Sequence, residues 1–250
     1  MIKEALRDVA YRAAAAAAGP ARPLRAILML HELEGPAGPT SKVFREQLRF
    51  LTDNANIVRL DAFAEAPEAQ APIVAITFDD GDRRTCELAA GLLSDAGAPA
   101  TFFLPSRLLG STFRTSFGPR ELIDVDGARE LTRAGHEIGA HSRTHPDLVT
   151  LDDRALADEV EGSREELESL VGGTIRTFAY PKGKHDDRVV AAVGAAGFDV
   201  AVTVREGLVQ AHRDFLVLPR IAVRGSTGTA QLRAKLTRGV ELYERLRGRR

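Results

Sequence analysis

The sequence predicts an α/β chain: a single distorted (β/α)7-8 barrel with mostly parallel strands. Three observations lead there. Short apolar runs alternate with helix-like segments almost from end to end. The runs are too apolar for simple in–out alternation, which marks strands covered on both faces and joined by helical crossovers. The 250 residues, 44% of them hydrophobic, can also bury a core large enough for such a barrel to form as one unit.

Residues 1–23 carry an alanine run, but Glu4, Arg7, Asp8 and Arg12 interrupt it. It reads as a helical extension ending near Gly19-Pro20, not as a signal peptide, so a cytoplasmic location is expected. The barrel is expected over 24–225. Its strands are RAILMLH (25–31), NIVRL (56–60), IVAITF (73–78), ATFFLP (100–105), HEIGAH (136–141), RTFAY (176–180), FDVAVTV (198–204) and FLVLPRIAV (215–223). Helices fall between them at 41–51, 84–97, 125–135, 152–172 and 187–197, several closing on glycine as a C-terminal stop. The stretch 106–122 is longer than a usual βα connection, and reads equally as a functional loop or an ordinary surface excursion. A C-terminal helix is expected over 226–250, its basic end RLRGRR being a solvated terminus.

Composition narrows the function. A formal charge of −1 gives no global field toward nucleic acid or a membrane surface. No stretch is apolar enough to span a bilayer. The single cysteine, Cys86, rules out an intramolecular disulfide and reads as a buried small hydrophobe. Oligomeric state is left open.

Two clusters carry chemistry. In AITFDDGDRR (75–84) a strand runs straight into Asp79 and Asp80, although neighbouring side chains on a strand point to opposite faces. Alone, Asp79-Asp80-Gly81 could as well cap the next helix. In HEIGAHSRTHPDL (136–148), His141 and His145 are four apart, the spacing that sets two imidazoles on one face of a helical turn, here a short turn beyond a strand. Two imidazoles and a carboxylate make a three-ligand catalytic zinc site with one open position. One aspartate can then bind metal while its neighbour takes a proton from water.

TFDDG together with HSRTH resembles the first two motifs of the polysaccharide deacetylases, carbohydrate esterase family 4, whose fold is a distorted (β/α) barrel. FAYPKG (178–183) resembles the third, and GFDVAVT (197–203) and LPRIAV (218–223) recur in similar order. The resemblance implies a metal-dependent hydrolase that removes acetyl groups from the N-acetylated sugars of a polysaccharide or glycoconjugate. It makes Asp79 the general base and Asp80, His141 and His145 ligands of one divalent ion. Zinc suits this donor set, and Co2+, Ni2+ or Fe2+ would suit the same atoms. It also places substrate on Tyr180, Pro181, Lys182 and Gly183, with a main-chain N–H there sharing the oxyanion charge.

Two departures matter. Many members carry an arginine two residues before the third-motif proline, where this chain has Ala179. Many also place the acid histidine in a late apolar run ending LH, whereas here such a run, ILMLH, opens the chain and ends in His31. That order resembles the circularly permuted biofilm exopolysaccharide deacetylases, as does TSKVFREQLRFL after it. His31 is then the expected acid, with Arg220 on the last strand replacing the missing arginine and able to orient an acid partner. His136, His185 and His212 read as packing or solvent-exposed residues. The competing readings are a hydrolase of small linear or cyclic amides and a carbohydrate-binding relative without chemistry.

Overall fold

The computed structural model describes residues 24–67, 71–115, 118–210 and 214–237. The expected helix at 1–23, His212 and the end of the C-terminal helix lie outside the described residues.

Every expected strand forms. They are β1 (Arg25–Leu30), β2 (Asn56–Val58), β3 (Ile73–Phe78), β4 (Thr101–Leu104), β7 (Glu137–Ala140), β8 (Thr177–Ala179), β9 (Val200–Glu206) and β10 (Leu218–Ala222). All lie in one sheet, ordered β1-β10-β9-β8-β7-β4-β3-β2, and every pairing in it is parallel. A further pairing sets β1 along the whole of β3, Arg25–Leu30 against Ile73–Phe78, so seven strands close into a barrel. The distortion sits on the other side of β3. There β2 takes Ile73 to Ala75, and β4 begins pairing only at Thr77.

The helices α1 (Ser41–Asn54), α3 (Arg83–Asp95), α4 (Val125–Arg133), α5 (Asp153–Val171) and α6 (Asp187–Ala195) cover the outside, with a short α2 (Leu60–Phe63) and α7 (Thr229–Lys235). Each of the five long helices starts at a polar cap, Thr40, Asp82, Asp124, Asp152 or Asp186, whose side chain accepts the N–H three residues on. Such caps are each worth about 1 kcal/mol. The acid that caps α3 is Asp82, so Asp79 and Asp80 are not needed there.

The period-2 rule splits the core in two. Ala26, Leu28, Val74, Ile76, Phe78, Phe102 and Leu104 pack outward against the helices. Ile27, Ile73, Ala75, Phe103, Ala179, Val200, Val202 and Leu218 fill the barrel, with Leu60 and Phe63 of α2 at its N-terminal end. That end is tied by buried Glu137, which accepts from the Thr101 and Thr177 hydroxyls (both 2.6 Å) and the Asp61 amide (3.0 Å). Its interior position on β7 is followed by Gly139, where a Cβ would fall 2.5 Å from the Phe103 ring and 2.6 Å from Thr177 Oγ1. Only glycine fits. Gly139→Ala should therefore destabilise the fold by about 1–3 kcal/mol through overpacking, read as a lower urea midpoint at unchanged m-value. Phe103→Leu in the same chain should recover part of the loss; no recovery would place the clash elsewhere.

Candidate active site

The alternation that fills the barrel also builds the site. Inward positions run Ile73, Ala75, Thr77, Asp79 along β3, and Glu137, Gly139, His141 along β7. On β10 they run Leu218, Arg220, and on β1 Ile27, Met29, His31. Apolar residues give way to Asp79, His141, Arg220 and His31 where the strands end, the C-terminal rim at which parallel α/β folds bind ligands.

Asp80 leaves the strand pattern. Strict alternation would turn it outward, but Asp80 (φ 72°) and Gly81 (φ 72°) are both left-handed, and the chain swings the carboxylate back over the rim. Asp80 Oδ1 then lies 3.4 Å from His141 Nε2 and 3.5 Å from His145 Nε2. One ligand atom from each of the three residues lies within 4.8 Å of the others. The histidine pair reaches this point without the expected helical turn. His141 follows β7, and left-handed Ser142 (φ 59°) and His145 (φ 59°) fold an irregular loop between them. Four of the five non-glycine residues with positive φ among those described, Asp80, Ser142, His145 and Lys182, belong to this rim. Such conformations cost about 1–3 kcal/mol each and persist where the surroundings enforce them.

The donor chemistry fits a divalent cation. His141 Nδ1–H donates to the Ala179 carbonyl (2.7 Å), so Nε2 is the ring nitrogen that faces Asp80. Burial, reinforced by the charge of His141, lowers the His145 pKa to about 4, so this imidazole is neutral and able to ligate. Burial would raise the Asp80 carboxyl, but the His141 hydrogen bond and the histidine charges hold it far below the carboxylate range. Burial would likewise lower His141, yet the Asp80 hydrogen bond and the charges of Asp79 and Asp80 raise it. Two carboxylates thus favour positive charge at this point.

The loop between the histidines is held from α5. Glu159 Oε2 accepts the amides of Arg143 and Thr144 (both 2.9 Å), and its Oε1 the Thr144 hydroxyl (2.6 Å). The Arg143 guanidinium is clamped between Asp158 and Glu166. None of these partners was singled out from the sequence, which gives only a helix over 152–172.

Asp79 is buried and bound by both ends of one guanidinium, with Arg220 Nη1 to Oδ1 at 2.7 Å and Nη2 to Oδ2 at 2.6 Å. Arg220 is fully buried. It also donates to Thr77 Oγ1 (3.1 Å) and, through Nε, to the Thr203 carbonyl (2.8 Å), and it lies over the Phe103 ring. Arg220 was expected to replace the third-motif arginine and to orient an acid partner; the carboxylate it grips is Asp79. Burial raises the Asp79 carboxyl, and the charge and hydrogen bonds of Arg220 outweigh this and lower it. His31 Nε2 stands 3.8 Å from Asp79 Oδ2 on the open side, its side chain 47% exposed.

These groups line a cleft of about 470 Å3 with Phe113, Arg114, Tyr180, Lys182 and Val204. The expected substrate stretch divides. Tyr180 is buried, its hydroxyl donating to the Leu216 carbonyl (2.8 Å), so that group serves the fold. Pro181 and Gly183 shape the turn without lining the cleft, and Val204 packs where a Gly183 side chain would be. Lys182 faces the cleft. The 106–122 stretch is not a plain loop: β5 (Thr112–Thr115) and β6 (Gly118–Glu121) form an antiparallel hairpin. Arg120 on β6 pairs with buried Glu32 (2.7 Å), while Phe113 on β5 meets the His145 ring edge-on at 5.2 Å. STFRT (111–115) holds one apolar side chain, too little alternation to mark a strand.

A family model described as polysaccharide deacetylase matches residues 66–201, more than half of the chain. The chain belongs to the polysaccharide deacetylase family. The YxkH protein of Bacillus subtilis (strain 168) is 23% identical over 212 residues, 82% of this chain and 73% of that protein. A chitin deacetylase from Pestalotiopsis sp is 31% identical over 127 residues, 50% of this chain and 39% of its own length. The solved structure of the Streptococcus pyogenes deacetylase PplD in complex with acetate shares the fold. It has TM-score 0.76 at 20% identity over 86% of this chain and 99% of that one.

Within the polysaccharide deacetylase family this chain is a variant. At Ala179, the position where many members carry the third-motif arginine, the backbone carbonyl fixes His141. The guanidinium that reaches the first acid of TFDDG comes instead from β10.

Arg220→Met would strand a buried carboxylate, at a cost of about 3–5 kcal/mol at neutral pH. In the parent, the lowered Asp79 pKa adds stability above the unfolded value, and this is lost as pH falls through the folded value. In the variant, burial is opposed only by the charges of His31 and His141, so the pKa rises and the penalty eases on acidification. The two unfolding free energies should converge as pH falls from 7 toward 4. A constant gap would mean the arginine acts only through packing.

Proposed function

We propose that the chain is a metal-dependent hydrolase removing acetyl groups from N-acetylated sugars of a polysaccharide or glycoconjugate. The observation that carries this is the split of two adjacent acids, Asp79 onto Arg220 and Asp80 onto the histidine pair, at one barrel rim. Family membership and the chitin deacetylase relative support the substrate class. A divalent ion held by Asp80, His141 and His145 would supply Lewis acidity to the acetamide carbonyl and lower the pKa of water. Zinc suits the two-nitrogen, one-oxygen donor set.

This chain's own groups do the rest. Asp79, ionised and aimed by Arg220, accepts the proton of the attacking water. A main-chain N–H of the Tyr180–Gly183 turn shares the charge on the former carbonyl oxygen. The leaving nitrogen cannot depart as its anion near neutral pH, so His31, the exposed histidine beside Asp79, protonates it. Acetate and a free amine result.

The decisive measurement is acetate release from a panel of N-acetylated sugars, oligosaccharides and small amides, with and without chelator. Asp79→Asn should retain metal and lose turnover by about 10²–10⁴-fold; loss of metal from this variant, with retention in Asp80→Asn, would reverse the two roles. His145→Ala should lose metal and activity together by elemental analysis, and full occupancy would remove it as a ligand. His31→Ala should keep its metal and slow amide hydrolysis far more than hydrolysis of activated aryl acetates, whose leaving groups need no proton. Equal losses on both would leave His31 a positioning role only.

A further inference from the structure

We infer that the sugar this site deacetylates carries an anionic group, a carboxylate or phosphate, beside the acetamide, and that Arg114 and Lys182 receive it. The inference rests on the deacetylase reading above and specifies its substrate. Arg114 on β5 and Lys182 in the turn after β8 reach the same cleft from separate segments. The acids in its lining are Asp79 and Asp80, and both are committed, the first to Arg220 and the second to the histidine cluster. Neither Arg114 nor Lys182 has an ion pair or side-chain hydrogen bond among the described residues. The nearby acid that feels the Lys182 charge, Asp147, is itself ion-paired to Lys184.

Lys182 holds its place at a cost. It sits at φ 59°, a conformation that glycine or asparagine adopts with less strain. The fold thus keeps a cationic side chain where backbone preference argues against one. Arg114 is carried on a hairpin anchored by the Arg120–Glu32 pair and by Phe113 against His145, so its base is fixed over the site while its head group stays exposed. With a divalent ion bound, the cleft is net positive. A neutral glycan would leave both cations facing water, whereas an anion beside the acetamide would meet them and seat the carbonyl at the metal cluster.

The test compares acetate release from three N-acetylated oligosaccharides: one neutral, one bearing a carboxylate, one bearing a phosphate on or next to the acetylated sugar. Binding of the same three to the Asp79→Asn chain gives a readout free of turnover. At least one anionic probe should exceed the neutral one by roughly fivefold or more in kcat/KM and in affinity, with the advantage shrinking as salt rises. Which anion gains more separates carboxylate from phosphate. Arg114→Gln and Lys182→Asn, the latter keeping the left-handed backbone accessible, should each reduce the anionic-to-neutral ratio, chiefly through KM. Turnover of all three probes at equal efficiency, or a ratio that neither variant changes, overturns this inference and leaves the deacetylase reading standing. Absence of acetate release from every probe by the metal-loaded chain overturns both.

Discussion

The site depends on one buried ion pair. Arg220 crosses the barrel interior to grip both oxygens of Asp79, and its remaining donors go to Thr77 and Thr203. Either charge left alone in this interior would cost several kcal/mol. Together they fill the last interior layer above Phe103, so the cleft end of the barrel is also a packed end. The pair requires β3 and β10 to flank β1, and it is therefore the barrel's closure that brings Arg220 to Asp79.

Two neighbouring aspartates acquire different chemistry because the backbone between them changes hand. Asp79 keeps the strand's inward register and meets a guanidinium. Asp80, left-handed, turns back over the rim and meets two imidazoles. Both carboxyls are held below their ordinary range against burial, by a permanent cation in one case and by a pair of histidines in the other. The strain at Asp80, Ser142, His145 and Lys182 is stored where the side chains converge, and the Glu159 and Arg143 contacts from α5 hold part of it.

Much was legible before the structure. Apolar runs bounded by turn residues located every strand of the main sheet, since a strand covered on both faces has little compositional freedom. TFDDG and HSRTH each sit within a few residues of a strand end, so local sequence sufficed to name Asp79, Asp80, His141 and His145. The hairpin at 112–121 was not legible. Its strands are short, the pairs Thr112–Glu121 and Arg114–Pro119 are exposed on both sides, and its anchor, Glu32 to Arg120, joins residues far apart in the chain. The partner of the Tyr180 hydroxyl, the Leu216 carbonyl, is likewise one that only the folded chain supplies.

By itself the sequence determined the alternation of strand and helix, the cap of each long helix, and the presence of a metal-binding donor set at strand ends. These follow from period-2 patterning, side-chain hydrogen bonds three residues long and short contiguous motifs, all local properties of the chain. Only the tertiary structure decided that Arg220 grips Asp79, that His31 stands beside the same carboxylate, and that Arg114 and Lys182 share one cleft. Those relations span most of the chain, and a barrel's closure brings them together through pairings that no local window of sequence contains.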